Sequence, residues 1–275
     1  MQFTAHNILL GDGSSTMEGV PLLRDLQTWK AMQRTVDLHF AKQNRGSVRV
    51  ADLGCLEGGY AVEFARQGFD VTGIEARQEN IDKCNYAAGR LSLPNLKFAR
   101  DDVKNLAKYG EFDVIFCGGL LYHLDKPVEF INLLGRLTKK LLFLNTHYAL
   151  PVDPLYDCSA PVRFLRDKVL GKVLKPAKNN YRLSRIATNE NIEGRWFHEY
   201  AEEAPRDLVE RSHWTAYSNS RSFWPTEKYL LQVLKESGFP ILYQQCDFLE
   251  DYITDNYIER CNRNLYVCLK ETVLA

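Results

Sequence analysis

The stretch Val48-Arg-Val-Ala-Asp52-Leu-Gly54-Cys-Leu-Glu57-Gly58-Gly59-Tyr60 runs from an apolar segment into a glycine-rich turn. Glycines in such a turn let a ligand lie against the backbone, because no Cβ stands in the way and a positive φ costs little. The spacing Asp-x-Gly-x-x-x-Gly departs from the G-x-G-x-x-G fingerprint of dinucleotide sites. Glu75 closes the run Val71-Thr-Gly-Ile-Glu75, 21 residues past Gly54 (75 − 54), where a carboxylate can accept hydrogen bonds from both hydroxyls of a ribose. Asp102 follows Phe98-Ala-Arg-Asp at a distance suited to an adenine amino group, and Phe112-Asp-Val-Ile-Phe-Cys-Gly118-Gly119 ends in small residues. The pattern points to a nucleoside ligand.

Histidine is the side chain best suited to removing a proton near neutral pH, and the chain has six. His6 and His39 fall in the N-terminal region, where surface or packing roles are expected. His123 and His147 each follow an apolar run that ends near the glycine turn, so both are candidates for a base or a substrate orienter. Downstream, Gly194-Arg195-Trp196-Phe-His198-Glu199-Tyr200 and Ser212-His213-Trp214 alternate charged and aromatic groups in a loop-like context. Glu199 beside His198 is a candidate acid–base pair. Arg195, Trp196, Tyr122 and Trp224 are candidate substrate contacts, against the plainer alternative that such aromatics build a local core. No metal is expected: Cys117-Gly-Gly carries no acidic ligands after it. The seven cysteines, at 55, 84, 117, 158, 246, 261 and 268, form no C-x-x-C pair. Cys55 has no neighbouring base or cation to activate it and reads as a small residue tolerated at close approach.

These residues need a sheet to hold them. From Val48 onward, apolar runs alternate with amphipathic stretches: strands over 48–53, 70–74, 96–99, 112–117 and 140–145, and helices over 58–67, 77–90, 103–108 and 127–137. This is the signature of βαβ units and a parallel sheet. Before them, Phe3 to Leu10 reads as a short strand with a turn, and Leu22 to Phe40 as a helix. After Tyr148 the pattern breaks for about 75 residues, too long for a plain loop, then resumes with a helix over 226–237, whose N-cap is Thr226, and strands over 241–246 and 264–270. The expected division is an N-terminal arm (1–45), a core (46–148 and 226–275) and a substrate-binding cap (149–225). The cap's charge is split: 160–186 carry eight Lys/Arg and one Asp, 187–210 seven Asp/Glu and two Arg. The chain as a whole has 35 Lys+Arg against 35 Asp+Glu, which argues against a general nucleic-acid binder. Neither a signal peptide nor a membrane span is read, and the cysteine usage fits a reducing cytoplasm. The oligomeric state is left open.

With these residues in place, 48–146 resembles the core of the class I S-adenosylmethionine-dependent methyltransferases. The resemblance rests on Asp52-Leu-Gly54-Cys with a trailing Gly, an acid after the second strand, Asp102-Val103 after the third, and Phe112-Asp-Val-Ile with Leu121-Tyr-His123 after the fourth. It implies an α/β, Rossmann-like sheet of seven strands ordered 3-2-1-4-5-7-6, the seventh antiparallel. It also implies S-adenosylmethionine as cofactor: Gly54, Glu57 and Gly58 along the methionine, Asp52 steadying the turn, Glu75 on the ribose, Asp102 and Val103 at the adenine, Gly118 at the amino group, and Tyr60, Ala76 and Leu120 nearby. Two narrower similarities pull apart. Gly73-Ile-Glu75-Ala-Arg-Gln-Glu-Asn80 is similar to O-antigen chain-terminating methyltransferases. Gly119-Leu-Leu-Tyr122-His123 with Arg221-Ser-Phe-Trp-Pro-Thr226 is similar to tRNA wobble-uridine carboxymethyltransferases. The expectation is therefore methyl transfer to a hydroxyl of a small molecule or saccharide, with a histidine or carboxylate as base. The alternatives are a tRNA-modifying methyl or carboxymethyl transferase and a non-catalytic adenosylmethionine-binding subunit.

Overall fold

Alternate residues of each central strand face opposite sides of one sheet, and both sides are buried. In the computed structural model, which describes residues 1–41, 43–152, 161–162, 183–245 and 262–271, Val50, Val71, Val114, Phe116, Phe143 and Val267 fill one face. Ala51, Leu53, Ile74, Ile115, Leu142, Leu144 and Tyr266 fill the other. Strands covered on both faces read as near-continuous apolar runs, which is why they were visible in the sequence.

The seven strands are β1 (Arg49–Leu53), β2 (Asp70–Glu75), β3 (Leu96–Arg100), β4 (Phe112–Gly118), β5 (Thr138–His147), β9 (Ile241–Gln244) and β10 (Arg263–Leu269). Their order is β3-β2-β1-β4-β5-β10-β9, with β10 antiparallel to both β5 and β9. Counting these strands alone, that is the expected 3-2-1-4-5-7-6. The connecting helices are α2 (Gly59–Arg66), α3 (Gln78–Gly89) and α4 (Pro127–Leu137), and α6 (Glu227–Glu236) leads into β9. Trp29 of α1 (Gln27–Phe40) anchors that helix on the sheet by an edge-to-face contact with Phe64, ring centroids 5.0 Å apart.

Several expectations are corrected. Phe3 to Leu10 forms no strand; it has a single bridge, Leu9 to Ser15, because the N–H groups of Thr4, Ala5 and His6 are taken by the Glu57 carboxylate. The expected helix over 22–40 breaks at Leu26, whose backbone is extended, into a 3-10 turn and α1. The 103–108 helix is a 3-10 segment, Val103–Tyr109, whose N-cap Asp102 accepts from the Lys104 N–H. Thr226 does precede α6, but its side chain makes no capping bond.

The insertion after β5 is not loop-like where it is described. It builds a second antiparallel sheet, β6 (Leu183–Asn189), β7 (Ile192–His198) and β8 (Arg221–Pro225), in that order, followed within the hairpin-to-β8 link by the short helix α5 (Arg206–Arg211). Glu190 and Asn191 turn β6 into β7 with φ of 49° and 64°, the double left-handed conformation of a tight hairpin. The Glu190 carboxylate then accepts from the Val128 and Glu129 N–H groups at 2.9 Å each, capping α4 and clamping the small sheet to the core. Most of the basic stretch over 160–186, with Cys158, Cys246 and Cys261, lies outside the described residues. Among the described residues no helix is long and apolar enough to cross a membrane.

Candidate active site

A cavity of about 980 Å³ opens over the carboxyl ends of β1, β2, β4 and β5 and is closed from above by residues of the small sheet and of the 213–219 segment. Open α/β sheets place ligands at this edge. Gly54 forms part of its floor with φ +63°, and a Cβ there would come within 3.3 Å of Leu120. Around it stand Asp52, Tyr60, Glu75, Ala76, Asp102, Val103, Gly118 and Leu120. Both oxygens of Glu75 accept backbone N–H groups, from Leu56 at 3.0 Å and Arg77 at 2.9 Å, so this carboxylate fixes the turn after β1 as well as facing the cavity. Asp52 accepts from the Ala61 N–H at 3.0 Å. Burial, reinforced by the Glu75 charge and opposed by that hydrogen bond, pushes the Asp52 carboxyl up to about 7.

Glu57 and Gly58 do not line this cavity. Glu57 is only 1% exposed and is spent on the N-terminal arm and on Lys83, whose Nζ lies 3.1 Å away. Gly58 starts α2 at φ +79°, and a Cβ on it would press to 2.7 Å of the Phe98 ring, so its lack of a side chain serves packing. Cys55 does line the cavity, and burial pushes its thiol well up, which leaves it a poor nucleophile.

On the far side of β4 the cavity wall is aromatic. His147 stacks on Trp224, centroids 4.9 Å apart at 13°, and meets the Tyr122 ring edge-on at 4.6 Å. Trp224 stacks in turn on Phe197 at 5.1 Å, and its indole N–H donates to the Tyr122 carbonyl at 2.9 Å. His123, in the 3-10 turn after β4, places Nδ1 2.8 Å from Glu199 Oε1. The Ser222 hydroxyl donates to the same Glu199 oxygen at 2.8 Å, and the Ala216 N–H approaches the other at 3.3 Å.

The partner of Glu199 is thus His123 and not His198. In an extended strand neighbouring side chains leave on opposite faces, and His198, at the end of β7, is exposed while Glu199 is buried. Arg195 and Trp196 are also away from the cavity. Arg195 is fully buried and donates to the carbonyls of Leu150, Ser184 and Pro151; Trp196 packs edge-on against Phe223. Among the cavity residues that sequence reading did not single out are two arginines. Arg77 is buried and donates to the Thr215 carbonyl at 2.8 Å, and Arg263, on β10, holds Asn145 Oδ1 through Nε. Among the described residues no group of His, Cys, Asp and Glu is placed to hold a metal ion.

A profile described as a methyltransferase domain matches residues 50–140, the span that carries β1 to β4, the start of β5 and the glycine floor of the cavity. Over this span the chain is similar to the class I S-adenosylmethionine-dependent methyltransferases. This methyltransferase is 27% identical to a ubiquinone biosynthesis O-methyltransferase of Rickettsia felis over 168 residues, half of the chain and 68% of that protein. A protein of the same description from Psychrobacter cryohalolentis is 31% identical over 103 residues, covering 36% of the chain but only 38% of the relative. Among solved structures, the methyltransferase is similar to the N-terminal domain of EvdMO1 determined in the presence of SAH and D-fucose, with a TM-score of 0.61, 19% identity and coverage of 94% of the chain and 88% of that domain. It is also similar to the magnesium protoporphyrin IX methyltransferase of Synechocystis, with a TM-score of 0.50, 15% identity and coverage of 93% and 90%. At such identities the structural likeness speaks for the fold of the methyltransferase.

Proposed function

We propose that this methyltransferase transfers a methyl group to a hydroxyl of a small molecule or saccharide, with His123 as the base and Glu199 as its positioning partner. The observation that carries the reading is the 2.8 Å contact between His123 Nδ1 and a buried Glu199 on which two further donors converge. A carboxylate only accepts, so Nδ1 carries the hydrogen and Nε2 is left to take a proton from an acceptor hydroxyl. That division of labour is the ordinary one for a histidine base. The names of the relatives, O-methyltransferases, support a hydroxyl acceptor, and the D-fucose of one structural neighbour keeps a sugar among the candidates.

The residues present fit the family's donor. Gly54 gives a side-chain-free floor, Glu75 and Asp102 sit at the ends of β2 and β3 where a ribose and an adenine would be held, and Asp52, Tyr60, Ala76, Val103, Gly118 and Leu120 complete that half of the cavity. When bound, S-adenosylmethionine supplies a methyl group already activated by its sulfonium. The protein's own task is then orientation and proton removal. The aromatic wall of Tyr122, His147 and Trp224 orients the acceptor, and the small sheet, within the 149–225 insertion, covers it and keeps water out.

The test is calorimetric titration of the full chain with S-adenosylmethionine and S-adenosylhomocysteine, followed by transfer of labelled methyl into saccharide fractions and a panel of hydroxylated aromatics. Label should appear as an ether. His123→Ala should lower turnover by roughly 10²-fold or more and Glu199→Gln by less, both with S-adenosylhomocysteine affinity within about twofold of the parent. Label recovered only on nitrogen, or full turnover in His123→Ala, refutes the reading.

A further inference from the structure

Between β4, β5 and β10 the cavity contains a notch that the nucleoside half does not use. A Cβ placed on Gly119, which has φ +70°, would lie 3.3 Å from Arg263 Nη2 and 3.4 Å from the Tyr122 hydroxyl. Two hydrogen-bond donors therefore converge on a space that glycine leaves open. The guanidinium is fixed from behind. Its Nε donates to Asn145 Oδ1, the Asn145 carbonyl accepts from the Gly119 N–H at 2.9 Å, and the Tyr122 ring lies 5.6 Å from the guanidinium carbon. Among the described residues no carboxylate pairs with Arg263 and nothing accepts from the Tyr122 hydroxyl. A half-buried arginine facing a cavity, with no acid opposite it among the described residues, suits an anion, because the fork of a guanidinium matches a planar oxyanion.

We infer that Arg263 and Tyr122 form a carboxylate-binding notch that recognises an acceptor bearing an acid group. This inference rests on the reading of His123 and the aromatic wall as the acceptor side. Glu75 ends β2 and Asp102 follows β3, on one side of β1, whereas Gly119 follows β4 and Asn145 and Arg263 stand on β5 and β10, on the other side. The notch adjoins Tyr122 and His147, so a ring or sugar stacked on the wall directs its acid group into it. One guanidinium and one neutral hydroxyl balance a single negative charge, which suits a carboxylate over a phosphate dianion.

The experiment uses the full chain saturated with S-adenosylhomocysteine and compares 4-hydroxybenzoate with 4-hydroxybenzamide by calorimetry, with inorganic phosphate as competitor. The carboxylate should bind at least tenfold more tightly than the amide. Arg263→Gln should abolish that preference, and Tyr122→Phe, which keeps the ring and so keeps the packing, should reduce it threefold or more. Equal affinity for the two probes overturns the inference, as does a preference that survives in both variants or phosphate binding above the carboxylate. A carboxylate site that appears only without S-adenosylhomocysteine and is displaced by it belongs to the donor's own amino-acid end, which also overturns it. A carboxylate preference without any methyl transfer to hydroxyls would sink the proposed reaction and leave the notch standing.

Discussion

Acidifying the protein should loosen the N-terminal arm from the cavity through one histidine. His6 is buried, its Nδ1 accepts the Gly59 N–H at 3.0 Å, and its ring meets Tyr60 edge-on at 5.4 Å. Burial, opposed by the Glu57 charge, lowers its pKa from 6.5 to about 4. Between those two values an unfolded chain takes up a proton that the folded chain refuses, so the stability His6 confers is complete above 6.5 and is lost as the pH falls towards 4. The gap of about 2.5 pKa units, at 1.36 kcal/mol each, makes the loss about 3 kcal/mol. Asp52 runs the other way. Its folded value is raised from 3.8 to about 7, so the folded state holds a proton that the unfolded chain gives up, and stability from this group falls as the pH rises through that window. The two contributions nearly offset each other in the parent protein, and only a difference measurement separates them. Urea unfolding of the parent and of His6→Asn at several values between about pH 7 and about pH 4 provides it: the parent's advantage should shrink by about 3 kcal/mol across the range. A constant difference between the two proteins would refute the assignment of a neutral, accepting imidazole to His6.

Other substitutions report on separate parts of the structure. Glu75→Ala should weaken S-adenosylhomocysteine binding at least tenfold, about 1.4 kcal/mol, measured by calorimetry; unchanged affinity would contradict the placement of the ligand over β2. Glu57→Gln leaves the buried Lys83 with only the exposed Glu79 carboxylate opposite it and should cost about 3 kcal/mol in urea unfolding, with no change in which ligands bind. Arg195→Met strips donors from three carbonyls of the insertion and should lower stability by about 2 kcal/mol or more, whereas His198→Ala, exposed at the strand end, should change it by less than about 0.5 kcal/mol. The stability of the parent relative to Asp52→Asn should fall by about 4 kcal/mol as the pH rises from about 4 to about 7, read by urea unfolding of both proteins.

The sheet was legible because its strands are buried on both faces and separated by amphipathic helices, and Glu75, Asp102 and Gly54 were legible because each follows a strand at its carboxyl end. Contacts between residues distant in the chain were not. Nothing near Glu57 in the sequence announces that its carboxylate is taken by Thr4, Ala5 and His6, and it was the family resemblance that put it along the methionine. Glu199 was assigned to its sequence neighbour because 192–198 was read as a loop. Seen as a strand, the alternation of faces separates Glu199 from His198, and the true partner lies 76 residues earlier. Arg263 carries no local motif, and Arg77 stood in the sequence only as part of a wider resemblance; each becomes conspicuous only when the fold sets it against the cavity.

The antiparallel placement of β10 between β5 and β9 has a price during synthesis. Its first pair joins Arg263 to His147, so β5 must wait for more than a hundred further residues with its outer row of amide and carbonyl groups unsatisfied. The ribosome-bound intermediate therefore presents a bare, apolar β-edge of the sort that recruits other chains, and β9, which bonds only to β10 in the finished sheet, cannot shield it. The last of the seven strands to be made is thus the one that seals the sheet and delivers Arg263 to the crevice.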